Sequence, residues 1–223
     1  MAVSAVEGAD ECPIASLQQH RTRASAAIRN LLQKGAFKRE VDNFFAKGSP
    51  QAPTVHGGPE KAVYAYPAEH YEYWRKELPE VAFSWGRFGE HITTEWLREG
   101  TLCIGDSLKI GSAVLMVNQP RMPCYKLDLR FDRDDMIKRF LMSGRSGFYF
   151  SVIEPGKVIL GSKVEIVSRD ANRVTVVDIV RLYLGQTRDP DLRQRAVNVS
   201  VLPENWRAQL LLRAQTDRDD TGS

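Results

Sequence analysis

The apolar positions of this chain change period along its length. Ala24, Ala27, Ile28, Leu31 and Leu32 recur at spacings of three and four, which predicts an amphipathic helix over 14–33 with Gly35 as its C-cap. Phe37 to Val41 suits a short strand, and the Gly-, Ser- and Pro-rich stretch 47–53 a loop. Ala62 to Tyr66 fits a strand or a helix start, with Pro67 barring a longer strand, and Ala68 to Glu77 predicts a helix. Phe83 to Glu99 is mixed and carries a glycine-bearing turn, WGRFGE. From Thr101 the strand signal dominates. TLCIGDSLKIG and SAVLMVNQP predict two strands joined through Gly111-Ser112, the first broken at Gly105-Asp106. GFYFSVIEPGKV, SKVEIVSRD and NRVTVV supply more strands, and Asp134 to Met142 a helix between them.

Beyond residue 176 the period returns to helical. Val177–Leu184, Leu192–Val197 and Glu204–Ala214 are three short apolar patterns punctuated by Pro190 and Pro203. Helices this short are marginal alone, so they must bury their apolar sides on the sheet of the same chain or on a partner chain. The predicted class is mainly β with inserted helices: a β-barrel followed by a small C-terminal three-helix region. The predicted divisions are a tail and helix over 1–35, a barrel over 36–173, helices over 174–216 and a disordered tail over 217–223.

Composition narrows the function classes. A net charge of +3, with Lys and Arg interspersed among Asp and Glu, argues against a nucleic-acid surface but leaves room for a local anion pocket. The cysteines Cys12, Cys103 and Cys124 have neither disulfide-framework nor zinc-site spacing, which fits a reducing compartment. The acidic start is no signal peptide, and no apolar run reaches the roughly 18 residues of a membrane helix. The expectation is a cytoplasmic protein bound to neither membrane nor nucleic acid.

Three segments carry candidate chemistry. In His56-Gly57-Gly58-Pro59, paired glycines let backbone N–H groups approach an anion and the histidine adds a donor; a tight turn is the plainer explanation. In Asn118-Gln119-Pro120-Arg121-Met122-Pro123-Cys124-Tyr125-Lys126, two prolines fix the backbone around a thiol flanked by Arg121 and Lys126. Neighbouring cations favour the thiolate, which is both metal ligand and nucleophile; an inert buried cysteine is the alternative. Glu90 and His91 are proton-transfer residue types on a segment that otherwise suits an exposed loop. Cys12 and Cys103 have no assigned role, and the cluster Tyr64, Tyr66, Tyr71, Tyr73 and Trp74 suits packing.

VHGGPEKAVYAYPAEHYEYW, FGEHITTEWL, IGDSLKIGSAVLMVNQPRMPCYKL and SGRSGFYFSVIEPGKV, in this order, resemble the MOSC domain family in its YiiM-like branch. The resemblance runs from about Thr54 to Val167, and VTVVDIVRLY resembles the start of that branch's C-terminal helices. It implies a β-barrel holding a molybdopterin-type molybdenum cofactor, with the cysteine of the Pro-Cys motif, here Cys124, as the protein ligand to the metal. His56, Gly57, Gly58, Asn118, Arg121 and Lys126 would then bind the cofactor, and His56 or Glu90 would move protons. The branch is associated with reduction of N-hydroxylated compounds such as hydroxylaminopurines, fed by a flavoprotein reductase. Family-level descriptions add pyridoxal phosphate binding. The chain departs from the pattern at His91, where the branch carries Asn, and before HGGP, where a Gly-Asp segment is missing. The helix over 14–33 has no counterpart in the family's opening strands, so one barrel wall would be missing, rebuilt or supplied by another chain, as in a homodimer. Two other readings are a persulfide-based sulfur carrier through Cys124 and a non-catalytic interaction module.

Overall fold

The computed structural model describes residues 58–219. The expected helix over 14–33, the strand Phe37–Val41, the loop 47–53, and His56 and Gly57 lie outside the described residues. A 3-10 turn, Pro59–Lys61, leads into β1 (Val63–Pro67), α1 (Glu69–Glu77), β2 (Ile92–Thr94), β3 (Ser107–Ile110) and β4 (Ala113–Pro120). Two helices follow, α2 (Tyr125–Phe131) and α3 (Met136–Ser143), then β5 (Phe148–Glu154), β6 (Val164–Ser168), α4 (Val176–Leu184), α5 (Pro190–Asn198) and α6 (Glu204–Asp219). The strands form one six-stranded sheet, β2-β1-β5-β4-β3-β6, curled into a half-barrel. The β1–β2 pair is parallel and the other neighbouring pairs are antiparallel.

Alternation along the strands divides the interior into two cores. Side chains of a strand point to opposite faces in turn. Ala65, Phe148, Phe150 and Val117 therefore share one core with Leu108 and with α4 to α6, which contribute Ile179, Leu182, Leu192, Trp206 and Leu210. Tyr64 and Tyr66 point the other way, into an aromatic core built with Tyr71, Trp74, Phe88 and Phe140. There Phe88 stacks on Tyr66 with centroids 4.5 Å apart, and the Trp74 indole donates to the Tyr66 hydroxyl at 2.7 Å. Such pairs add to the burial of their large rings.

The C-terminal helices thus bury their apolar sides on the sheet of their own chain. They share its core and are no separate appendage. Their starts are well specified: Thr175 and Asp178 form a capping box at α4, and Asp189 accepts the N–H groups of Asp191 and Leu192 at α5. That cap corrects the expected strand NRVTVV. Thr175 forms only an isolated bridge with Cys103 before its side chain starts the helix. At the far end α6 runs to Asp219, into the stretch expected as tail.

The Gly105-Asp106 pair fastens the start of β3 to the end of β6. The fully buried Asp106 carboxylate accepts the Cys103 N–H at 3.0 Å, the Asp170 N–H at 3.1 Å and the Arg169 guanidinium at 2.9 Å. Gly105 has φ +92°, and a Cβ on it would lie 2.7 Å from an Asp170 carboxylate oxygen, so no side chain fits. Removing one partner of a buried ion pair leaves the other charge uncompensated. Asp106→Ala is therefore expected to cost about 3–5 kcal/mol. Urea denaturation measures this, and a loss below about 1 kcal/mol, the net worth of an ordinary hydrogen bond, would show that the carboxylate is not a structural tie.

Candidate functional site

The site begins with a register shift. Val117 pairs with Phe150 and Gln119 with Tyr149, so Asn118 is an extra residue on β4. A bulge of this kind interrupts the ladder and re-aims the side chains that follow. The Asn118 side chain is consumed locally: its Oδ1 accepts the Ser151 N–H at 2.7 Å and its Nδ2 reaches the Val201 carbonyl at 3.5 Å. Gln119 is set opposite Tyr149, which is itself opposite Tyr64. Tyr64, Tyr149 and Gln119 thereby form a row across three adjacent strands, and all of them line one cleft of about 430 Å³.

The segment leaving β4 supplies the next wall. Arg121, Met122, Pro123 and Cys124 line the cleft, and Lys126 and Leu127 follow on α2. Cys124 is a free, half-buried thiol in extended backbone immediately before α2. The Arg121 guanidinium lies 4.8 Å from the centre of the Tyr64 ring and 5.4 Å from that of Phe140, in cation–π range. Burial opposes its charge, while the phenol oxygens of Tyr64 and Tyr149 favour the guanidinium as hydrogen-bond acceptors. Burial pushes the pKa of both phenols up, so they stay neutral. The Tyr64 hydroxyl donates to the Ser146 carbonyl at 2.9 Å, which leaves its lone pairs for Arg121.

Lys61, Arg121, Lys126 and Arg130 all border this cleft, whose described lining holds no carboxylate. A concave site lined by cations favours an anionic ligand. The buried Arg121 Nη1 and Gln119 Nε2 have no hydrogen-bond partner among the described residues. Buried donors are normally satisfied, so both are available to an acceptor on a bound group.

The remaining candidates separate. His56 and Gly57 are outside the described residues; Gly58 is exposed and precedes the turn that carries Lys61. Asn118 serves the bulge and does not line the cleft. Glu90 is buried behind the wall. Its carboxylate accepts from the Tyr71 hydroxyl, from the Gly86 N–H at 2.8 Å and from the Thr93 hydroxyl at 3.0 Å. Burial raises its pKa against those hydrogen bonds. Its neighbour His91 does line the cleft. The His91 Nδ1 accepts the Tyr64 N–H at 2.9 Å, so the neutral ring carries its proton on Nε2. Sequence reasoning also missed Lys61, Tyr64, Gln119, Arg130, Tyr149, Asn205 and Trp206. Period alone could not find Gln119, because the shift at Asn118 reverses the face it occupies.

The fold and this cleft define the class. Residues 52–165 match the MOSC domain, and the chain belongs to the MOSC domain family. Within it the chain falls in the YiiM-like branch. It is 40% identical to Protein YiiM of Escherichia coli (strain K12) over 154 residues, covering 68% of either protein. It is 38% identical over 197 residues to the uncharacterized protein YflK of Bacillus subtilis (strain 168), covering 88% of either. The crystal structure of YiiM from Geobacillus stearothermophilus superposes with a TM-score of 0.66 at 32% identity, over 71% of this chain and 80% of that one. A Gibberella moniliformis protein named a reductase is 32% identical over 160 residues, which are 70% of this chain and 27% of that protein. Among the described residues, no helix is long and apolar enough to cross a membrane.

The position of Glu90 can be tested directly. The three donors converge on Oε1, which glutamine keeps, while Glu90→Gln puts a buried amide N–H₂ at the Oε2 position, where no acceptor stands among the described residues; stability is expected to fall by about 1–3 kcal/mol, the usual cost of unpaired buried polar groups. Thermal denaturation reads this loss. A variant as stable as the parent would overturn the structural role of Glu90.

Proposed function

We propose that the cleft holds a molybdopterin-type molybdenum cofactor and that the protein reduces N-hydroxylated compounds to amines with electrons from a flavoprotein reductase. The observation that carries this reading is the coincidence, in one cleft, of the half-buried thiol of Cys124 with Lys61, Arg121, Lys126 and Arg130, no carboxylate being among the described residues that line it. Membership of the YiiM-like branch supports it, as does the fungal relative named a reductase.

The donor set suits such a group. Cys124 offers one thiolate, whereas a bare structural metal ion takes about four protein ligands. A pterin dithiolene brings sulfur ligands of its own, so one protein thiolate is enough. Its phosphate needs cations and N–H donors, which Arg121, the lysines and the two unpartnered donors supply. When bound, the cofactor supplies two-electron cleavage of an N–O bond: the hydroxylamine takes up two electrons and two protons and becomes amine and water. The chain's own part is binding, orientation and proton placement. Tyr64 and Tyr149 floor the cleft and keep Arg121 in place. His91, with its proton on Nε2, takes the proton-carrying role at this wall in preference to Glu90.

Expression in a host that makes the cofactor, followed by metal and pterin analysis, tests the reading. The parent and Cys103→Ala are expected to carry molybdenum. Cys124→Ala is expected to lose both the metal and reduction of N-hydroxylated substrates, with a thermal midpoint equal to that of the cofactor-free parent. A folded parent without molybdenum or pterin would sink the proposal, and a persulfide on Cys124 in that sample would move the reading to sulfur transfer.

A further inference from the structure

Trp206 and Gln119 meet between the last helix and the bulged strand. The Trp206 indole N–H donates to the Gln119 Oε1 at 2.9 Å. Both residues are buried, Gln119 to 2% exposure, and both line the cleft. An indole nitrogen is only a donor, so the amide must turn its oxygen towards Trp206. That fixes the other end of the amide. Nε2 is left with two N–H donors and no acceptor among the described residues. A buried amide that makes one bond and orphans its nitrogen is costly unless a ligand completes it. Nothing in the bulge requires glutamine here, since Asn118 does the local capping.

We infer that Gln119 is a recognition residue of the cleft, donating from Nε2 to an anionic oxygen of the bound group, and that Trp206 is the positioning residue that fixes this polarity. The inference rests on the cleft being a ligand site and deepens the cofactor reading by naming a neutral donor beside Arg121. Arg121 would attract any anion by charge. The Gln119 amide accepts from one side and donates on the other, so it selects a hydrogen-bond acceptor at one place. Trp206 belongs to α6, which gives the C-terminal helices a share in the site that the sequence did not assign to them.

Gln119→Glu keeps an oxygen for the Trp206 N–H and replaces the donor by an acceptor. Gln119→Met removes the donor without adding charge. The full-length chain, made in a host without the pterin pathway, is titrated calorimetrically with inorganic phosphate. The same variants, made in a host with the pathway, are assayed for molybdenum per chain. Gln119→Glu is expected to weaken phosphate binding about tenfold or more, as loss of a hydrogen bond to a charged group implies, and to lower molybdenum content. Gln119→Met is expected to act in the same direction by a smaller factor. Trp206→Phe keeps the packing ring and loses the N–H. It is expected to weaken phosphate binding in the parent but not further in Gln119→Met, a non-additivity that simple destabilisation does not produce. Phosphate affinity equal to the parent's in both Gln119 variants would overturn the recognition role. Equal factors for Trp206→Phe in both backgrounds would overturn the positioning role. A parent without molybdenum whose phosphate binding still depends on Gln119 would refute the cofactor reading and keep this one. A parent that binds neither would refute both.

Discussion

A strand places successive side chains on opposite faces, and one extra residue exchanges the faces for everything that follows. The site depends on that constraint at Asn118. Before it, Val117 belongs to the core shared with Phe150 and the C-terminal helices. After it, Gln119 stands beside Tyr149, and Tyr149 beside Tyr64. In an unbroken ladder Gln119 would follow Val117 into the apolar core, where an amide has few partners. Asn118 absorbs the irregularity by taking the Ser151 N–H that the ladder would otherwise leave unpaired. The bulge is thus the hinge between a strand that packs and a segment that binds.

The electrostatics of the cleft follow from where the acids go. Glu90, Glu99 and Asp106 are buried, and each is turned to donors inside the fold. Glu90 holds the Gly86 turn, Asp106 joins the first turn of the barrel to Arg169, and Glu99 accepts the Gly147 N–H at 2.6 Å while facing His70 at 2.8 Å. Gly147 in turn has φ +62°, and a Cβ there would sit 2.5 Å from the Ala65 carbonyl, so β1 and the start of β5 approach closely only around a glycine. With these carboxylates engaged elsewhere, the cations around Cys124 face the cleft without acidic neighbours in its described lining. Positive potential arises there because negative charge is spent on the scaffold, although the whole chain is only slightly basic.

Much of this architecture was legible in the residue pattern. The strands from Ser107 to Ser168 and the C-terminal helices follow from period and from the punctuation at Pro190 and Pro203, whereas the cap at Thr175 is hidden in a segment whose pattern predicts a strand. What escaped was set by tertiary context. The strand β2 is short and paired in parallel with β1, and α2 follows the two prolines without a side-chain cap. Cys124, Arg121 and Lys126 were visible as a thiol between cations. Glu90 and His91 could not be told apart, because adjacent residues of one loop point to different sides and only the fold decides which side is the cleft. Asn118 and Gln119 posed the same difficulty, since a bulge leaves no clear mark in a run of apolar and amide residues. Trp206 lies far from Gln119 in sequence, and the helical pattern showed only that it would be buried.

The wall contributed by Asn205 and Trp206 also has a consequence for the order of events in the cell. A polypeptide emerges from the ribosome N-terminus first, and domains fold as their segments become available. The strands, the bulge and Cys124 are all synthesised before residue 205, so the thiol and its cations come into existence on an open trough. The trough becomes a cleft only when α6 has emerged and docked. Any group seated against Trp206 therefore gains that contact only after translation has passed the helix, so the docking of one late helix separates exposure of the thiol from its enclosure.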